Sequence, residues 1–239
     1  MIRAGTHAQS LANRRHLRLE NGTTYWKSDF ILSAEADRPS PQAFLIEQDP
    51  DTEILPHFHQ QDQFQVVVGG EGTLGRHRVA PVSVHYAGRY TGYGPIRAGA
   101  RGVHYFSLRP VTTAKAWFLP ESRAQMLDVP RRHLLGAPAA PTAGAPVEAA
   151  TDALIALQPD GIAAWRCRVP AGRILEAPAA EVPAERFYVV TAGSLRRDGE
   201  DLPSPAVLFA TADEAPLAGT AGAAGLELLV LQFPYLGRA

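Results

Sequence analysis

The chain has 239 residues and a formal net charge of −1, so it lacks the basic footprint that holds nucleic acid or an anionic membrane surface. No apolar run approaches the length of a membrane span, and Met1-Ile2-Arg3-Ala4-Gly5-Thr6-His7 has no signal-like apolar stretch. One cysteine, Cys167, excludes an internal disulfide and reads as a strand residue within Trp165-Arg166-Cys167-Arg168-Val169. These features predict a cytoplasmic protein, and lysine only at Lys27 and Lys115 amid abundant Ala, Arg, Pro and Gly suggests a bacterial, GC-rich source.

Taken in chain order, Tyr25 to Leu32 and Ala43 to Glu47 read as leading strands. His57-Phe58-His59 places two imidazoles at i and i+2, which on a strand is one face. A turn over Gln60-Gln61-Asp62 leads into a second strand, Gln63 to Val68, closing on Gly69-Gly70. Ser122 to Leu135 is the candidate short helix. Ala137 to Pro146 is a Pro/Ala/Gly stretch that suits neither a helix nor a strand interior.

From Pro56 to Gly70 the chain resembles the first motif of the cupins, His-x-His-x(3,4)-Glu-x(6)-Gly, with Gln63 in the place of the family's carboxylate. The resemblance implies jelly-roll β-barrels and a divalent transition metal, with Zn, Fe, Mn, Ni and Cu all compatible with imidazole and oxygen donors. It also implies oxygenase, isomerase or lyase chemistry on a small organic acid, sugar derivative or aromatic compound. Self-association as a homodimer is expected, because short strands leave edges that neighbouring subunits cover.

The sequence repeats. A shift of 120 residues lays Ile54-Leu55 on Ile174-Leu175. A shift of 123 then aligns Phe64 with Phe187, Val66-Val67 with Val189-Val190, Gly70 with Gly193, Gly102 with Gly225 and Leu108 with Leu231. What recurs is apolar alternation and turn glycine; the chemistry does not recur, since His57, His59, Gln63 and His104 fall on Ala177, Ala179, Arg186 and Glu227. The expectation is therefore all-β: two jelly-roll barrels in tandem. The N-terminal barrel spans 1–136 and carries the metal site, the linker spans 137–149, and a degenerate barrel spans 150–239.

The candidate metal ligands are His57, His59, Gln63 and His104. A neutral amide at Gln63 would hold a metal less firmly than a carboxylate, and the same residue also reads as a polar cavity lining that binds none. The family's second motif, Pro-x-Gly-x-x-His, has its local match at Tyr86 to Thr91, where Thr91 fills the histidine slot. His104 shares parity with Phe106 and Leu108, which read as core; it either faces the metal or is an ordinary residue of a final strand. Gln65, Thr91, Tyr93 and Arg101 are the candidate ligand-binding residues. No Ser-His-Asp or Cys-His arrangement identifies a catalytic group. Two functions follow, a metal-dependent enzyme and a non-catalytic small-ligand-binding or regulatory protein whose metal site is weakened or absent.

Overall fold

The computed structural model describes residues 1–32, 40–112, 115–137, 144–179 and 181–235. They divide into two compact units, Ala12–Ala137 and Met1–Leu11 with Pro138–Ala239. Strand β1 (Ile2–Thr6) and the short helix α1 (His7–Leu11) open the chain. The unit beginning at Ala12 then runs β2 (Arg15–Arg18), β3 (Thr24–Ile31), β4 (Gln42–Gln48), β5 (Glu53–Ile54), β6 (His57–Phe58), β7 (Gln63–Leu74), β8 (His77–Val79), β9 (Val84–Ala87), β10 (Ile96–Arg109), β11 (Trp117–Phe118) and β12 (His133–Gly136). The other unit continues with β13 (Ala150–Ile155), β14 (Ala163–Val169), β15 (Arg186–Arg197), β16 (Glu200–Pro203), β17 (Ala206–Ala210) and β18 (Thr220–Gln232).

The main sheets have matching orders, β12-β9-β7-β10-β4-β3-β2 and β1-β17-β15-β18-β14-β13, with β8 and β16 as equivalent flanking hairpin strands. Register repeats pair by pair. Phe64 opposes Leu108 as Phe187 opposes Leu231, and Val67 opposes Tyr105 as Val190 opposes Leu228. The all-β architecture is as expected, but among the described residues neither sheet is closed by pairing of its end strands.

Pleating decides what each unit encloses. On β10, Val103 and Tyr105 join Phe44, Ile46, Val67 and Tyr93 in the interior cluster, whereas Phe106 packs edge-on against Phe30 from the opposite face. On β18 the same parity puts Leu226, Leu228 and Val230 inside. The interior of the second unit is apolar where the first is polar: Tyr188, Leu208 and Val230 fill the positions equivalent to Gln65, His85 and Ser107.

Several expectations change. The eleven residues assigned to the first barrel's N-terminus belong to the other unit, because β1 pairs antiparallel with β17 from Ile2–Ala210 to Thr6–Ala206. It occupies beside β17 the place that β12 occupies beside β9. Ser122 to Leu135 is not a helix. Only Arg123–Gln125 forms a 3₁₀ turn, since Pro130 lacks an N–H and disfavours helical geometry at Val129, while Leu134 and Leu135 pair with β9. β7 continues beyond the expected Val68, and both it and β15 are long strands with bulged registers. Of the expected linker, 138–143 lies outside the described residues.

Two glycines permit those long strands to cross their neighbours. Gly70 has φ +63° and a Cβ there would lie 2.1 Å from the Gly102 carbonyl oxygen; Gly193 has φ +68° and would meet the Gly225 oxygen at 1.9 Å. Both space and backbone conformation exclude a side chain. Gly70→Ala and Gly193→Ala are each expected to cost more than about 2 kcal/mol in urea unfolding, and a loss within ~0.5 kcal/mol of zero would contradict this close approach. Removing residues 1–11 uncovers one edge of β17. Hydrogen exchange should then show faster exchange of the β17 amides that face β1, with β7 unchanged; unaltered protection of β17 would show that β1 does not cover it.

Candidate functional site

Bulged long strands and the short β6 bring five side chains of the first unit together. His57 and His59 enter from β6 and the residue after it, Gln63 opens β7, Arg109 ends β10, and Tyr93 lies in the segment bridged to His57. Gln63 and Arg109 stand one step beyond the Phe64–Leu108 pair, so the antiparallel register itself sets them opposite each other. All five are buried.

The arrangement of protons follows from one fact: a guanidinium only donates. Arg109 Nε donates to Gln63 Oε1 at 2.8 Å, and an Arg109 Nη donates to His59 Nε2 at 3.0 Å. The Gln63 amide nitrogen is thereby turned toward Tyr93, donating to its Oη at 2.8 Å. Tyr93 in turn gives its proton to His57 Nε2 at 2.9 Å. Both imidazoles carry their proton on Nδ1, donated to the backbone oxygens of Leu55 (2.8 Å) and Lys115 (3.2 Å). A second pair adjoins these, with His85 Nδ1 donating to Gln65 Oε1 at 2.8 Å across the β7–β9 register.

Burial holds this network in its neutral forms. The His57 pKa is lowered to about 4, mainly by desolvation, with the Leu55 hydrogen bond opposing and Arg109 adding to the shift. Desolvation also pushes His59 and His85 well below the usual histidine value. Tyr93 is raised to about 12 by burial, and burial lowers Arg109 to about 10; Arg109 remains charged at neutral pH.

Beside the network lies a cavity of about 280 Å³. Its lining includes His57, His59, Gln65, Tyr93, Ser107 and Arg109, and it gathers four cations, Arg15, Lys27, Arg109 and Lys115, with no acidic residue among the described lining residues. Asp29 sits behind, paired with Arg15 at 2.7 Å and Lys27 at 3.0 Å. The Lys27 ammonium lies 4.2 Å and the Arg109 guanidinium 5.4 Å from the Phe44 ring centroid. Burial lowers the Lys27 pKa, Asp29 partly restores it, and Arg15 and Arg109 lower it further.

Four of the sequence-predicted site residues converge with Gln65: His57, His59, Gln63 and Tyr93. His104 does not. It opposes Gly69 and Glu47 on the face of β10 that turns away from Tyr105 and Arg109, because its parity with Phe106 is the parity of the outer face. Thr91 is buried outside the cavity, its hydroxyl accepting the Arg132 amide at 3.2 Å. Arg101 is exposed and pairs with Glu71 at 3.5 Å. Arg109 and His85 were missed by the sequence reading. The repeat carries a signal for Arg109: a shift of 123 lays Gln63 on Arg186 and Arg109 on Gln232, a reciprocal exchange. In the second unit Arg186 donates to Gln232 Oε1 at 2.9 and 3.1 Å.

As arranged, these residues do not fit a divalent metal. Among the described residues no three His, Cys, Asp or Glu side chains converge as a metal group. The acceptor atoms of His57, His59 and Gln63 are each engaged by Tyr93 or Arg109. Two unit charges ~4 Å apart repel by about 4 kcal/mol at an effective dielectric of ~20, and a dication doubles that. No carboxylate belongs to the network to offset the repulsion among the described residues.

No protein-family model matches the sequence, and no curated protein matches it. Solved structures do. An 11S allergen of Cocos nucifera aligns with a TM-score of 0.64 at 14% identity, covering 98% of this chain and 89% of its own. A bacterial pirin of Escherichia coli in complex with nickel(II) gives 0.57 at 11%, covering 99% and 100%. A Bacillus subtilis oxalate decarboxylase gives 0.59 at 12%, covering 93% and 76%. The likeness is one of fold, the two-barrel cupin fold.

Buried neutral imidazoles make stability depend on pH. Between the folded His57 value of about 4 and the ordinary 6.5, the unfolded chain binds more protons than the folded one, so stability rises with pH and falls as pH drops from 6.5 toward 4. His59 and His85 add in the same direction. Each proton contributes at most ~1.4 kcal/mol per pH unit. Urea unfolding at pH 7 and pH 5 should therefore give a markedly lower stability at pH 5, and equal values would show that these imidazoles are not buried neutral.

Proposed function

We propose that the first unit is a metal-independent binding site for a small organic acid. The observation that carries this reading is the convergence of Arg15, Lys27, Arg109 and Lys115 on one cavity whose described lining contains no carboxylate. Like charges brought together at low dielectric are unfavourable; Asp29 offsets Arg15 and Lys27, and an anion entering the cavity relieves the repulsion that remains. Tyr25, Phe44, Tyr105 and Phe118 give the same cavity aromatic walls, so the acid has an apolar or aromatic body. A volume of about 280 Å³ is at the small end for ligand pockets, which run upward from roughly 300 Å³. Gln65, Ser107 and Tyr93 supply polar contacts that fix orientation.

A second reading, a metal-dependent oxygenase, isomerase or lyase, is favoured by one observation. Both imidazoles of the His-x-His pair have Nδ1 tied to backbone carbonyls and Nε2 turned inward, which is how metal-binding histidines are held. The nickel(II) complex of the pirin relative supports the same reading by analogy of fold. Arg109 weighs against it.

Titration calorimetry with benzoate and with benzamide separates charge from shape. Benzoate is expected to bind at least ~10-fold more tightly than benzamide, and Lys115→Met to weaken benzoate by a similar factor while leaving the melting temperature within a few degrees. Equal affinity for the two compounds, or none for a panel of small carboxylates, would remove the basis of the proposal.

A further inference from the structure

The first unit contains two histidines prepared as metal ligands and a fixed cation seated against one of them. His57 and His59 lie with ring centroids 5.2 Å apart and planes at 79°. Each has its Nδ1 proton committed to a backbone carbonyl, which makes Nε2 the acceptor on the inner side. Gln63 contributes a third inward acceptor, Oε1. Such a set ordinarily serves a metal ion. Here His59 Nε2 and Gln63 Oε1 both receive protons from the single guanidinium of Arg109, at 3.0 and 2.8 Å. His57 Nε2 receives the proton of Tyr93, a group that is itself held by Gln63.

The second unit shows what the guanidinium does when no imidazole is present. There the same cross-strand pair occurs with its partners exchanged, Arg186 on β15 and Gln232 on β18, and both are buried. The Gln232 amide nitrogen donates to the Gly161 oxygen at 2.7 Å. An arginine–glutamine pair at this end of the two central strands is thus common to both units, whichever strand carries the charge. In the first unit the arginine is on the strand that aims it at His59.

We propose that Arg109 is the residue that closes a latent metal site: its guanidinium takes the lone pairs of His59 and Gln63, and removing it opens a site for a divalent transition metal made by His57, His59 and Gln63. The inference rests on the reading that the wild-type site is metal-independent, and it assigns the closure of two of the three acceptors to one side chain; the third, His57 Nε2, is covered only by the neutral hydroxyl of Tyr93. An arginine cannot be deprotonated or moved aside cheaply at 5% exposure, so the closure is built in rather than conditional.

The experiment is titration of the purified chain, stripped with chelator, with Zn(II) and with Ni(II), followed by calorimetry and by metal analysis after desalting. Wild type should retain no stoichiometric metal. Arg109→Ala should retain one equivalent, with affinity raised at least ~10-fold over wild type. Adding Gln63→Glu to it should tighten binding further, and adding His59→Ala should return it to the wild-type level. Because truncating a buried arginine risks unfolding the first unit, Arg109→Gln is made in parallel, placing at this position the residue that the second unit carries there; a folded Arg109→Gln is expected to gain metal as well. The proposal is overturned if wild type holds an equivalent of metal as tightly as the variants, or if the folded variants hold none. Metal uptake by Arg109→Ala together with no benzoate binding by wild type would instead discard the acid-binding site and keep the closed metal site.

Discussion

A buried guanidinium that only donates is the constraint on which the first unit's interior depends. Arg109 orients Gln63, Gln63 orients Tyr93, and Tyr93 fixes the acceptor nitrogen of His57, while a second arm of the same guanidinium fixes His59. Reversal at any step would set donor against donor. The network therefore has one arrangement of protons, and unsatisfied buried polar atoms, at about 1–3 kcal/mol each, are the cost of interrupting it.

The same pair explains how one scaffold gives two interiors. Matching registers place the Arg–Gln pair at equivalent ends of β7/β10 and β15/β18, so it is compatible with a polar cavity and with a filled core alike. The difference lies further along the strands. Tyr188, Leu208 and Val230 fill the second unit with apolar volume, and the Tyr188 hydroxyl accepts the Leu217 amide at 3.4 Å. Gln65, His85 and Ser107 at the corresponding positions keep the first interior polar.

Edges and crossings are handled alike in both units but from different parts of the chain. The outer side of β9 is covered by the later strand β12, and that of β17 by β1, the first strand of the chain. At the crossings, Gly70 with Gly102 and Gly193 with Gly225 bring backbone against backbone, a proximity no Cβ permits. The registers shift at these crossings, so the long strands bend at bulges and resume pairing on either side.

Alternation and turn glycines were sufficient to read the all-β class, the repeat and the equivalence of Gly70 with Gly193, because strand periodicity is local and survives divergence. The His-x-His pair was legible for the same reason: i and i+2 share a face in any strand. His104 was not, since parity says which residues share a face and not which face is inside; the bulged register between β7 and β10 decided that. The Ser122 to Leu135 segment has helix-like composition, and its strand pairing came from β9, a partner far off in sequence. Assignment of Met1–Leu11 to the second unit likewise depended on an edge some 200 residues away. Above all, the chain of residues names Arg109 and Gln63 separately. Only antiparallel pairing sets them opposite each other, because hydrogen-bond geometry across strands is a property of the folded register and not of either segment alone.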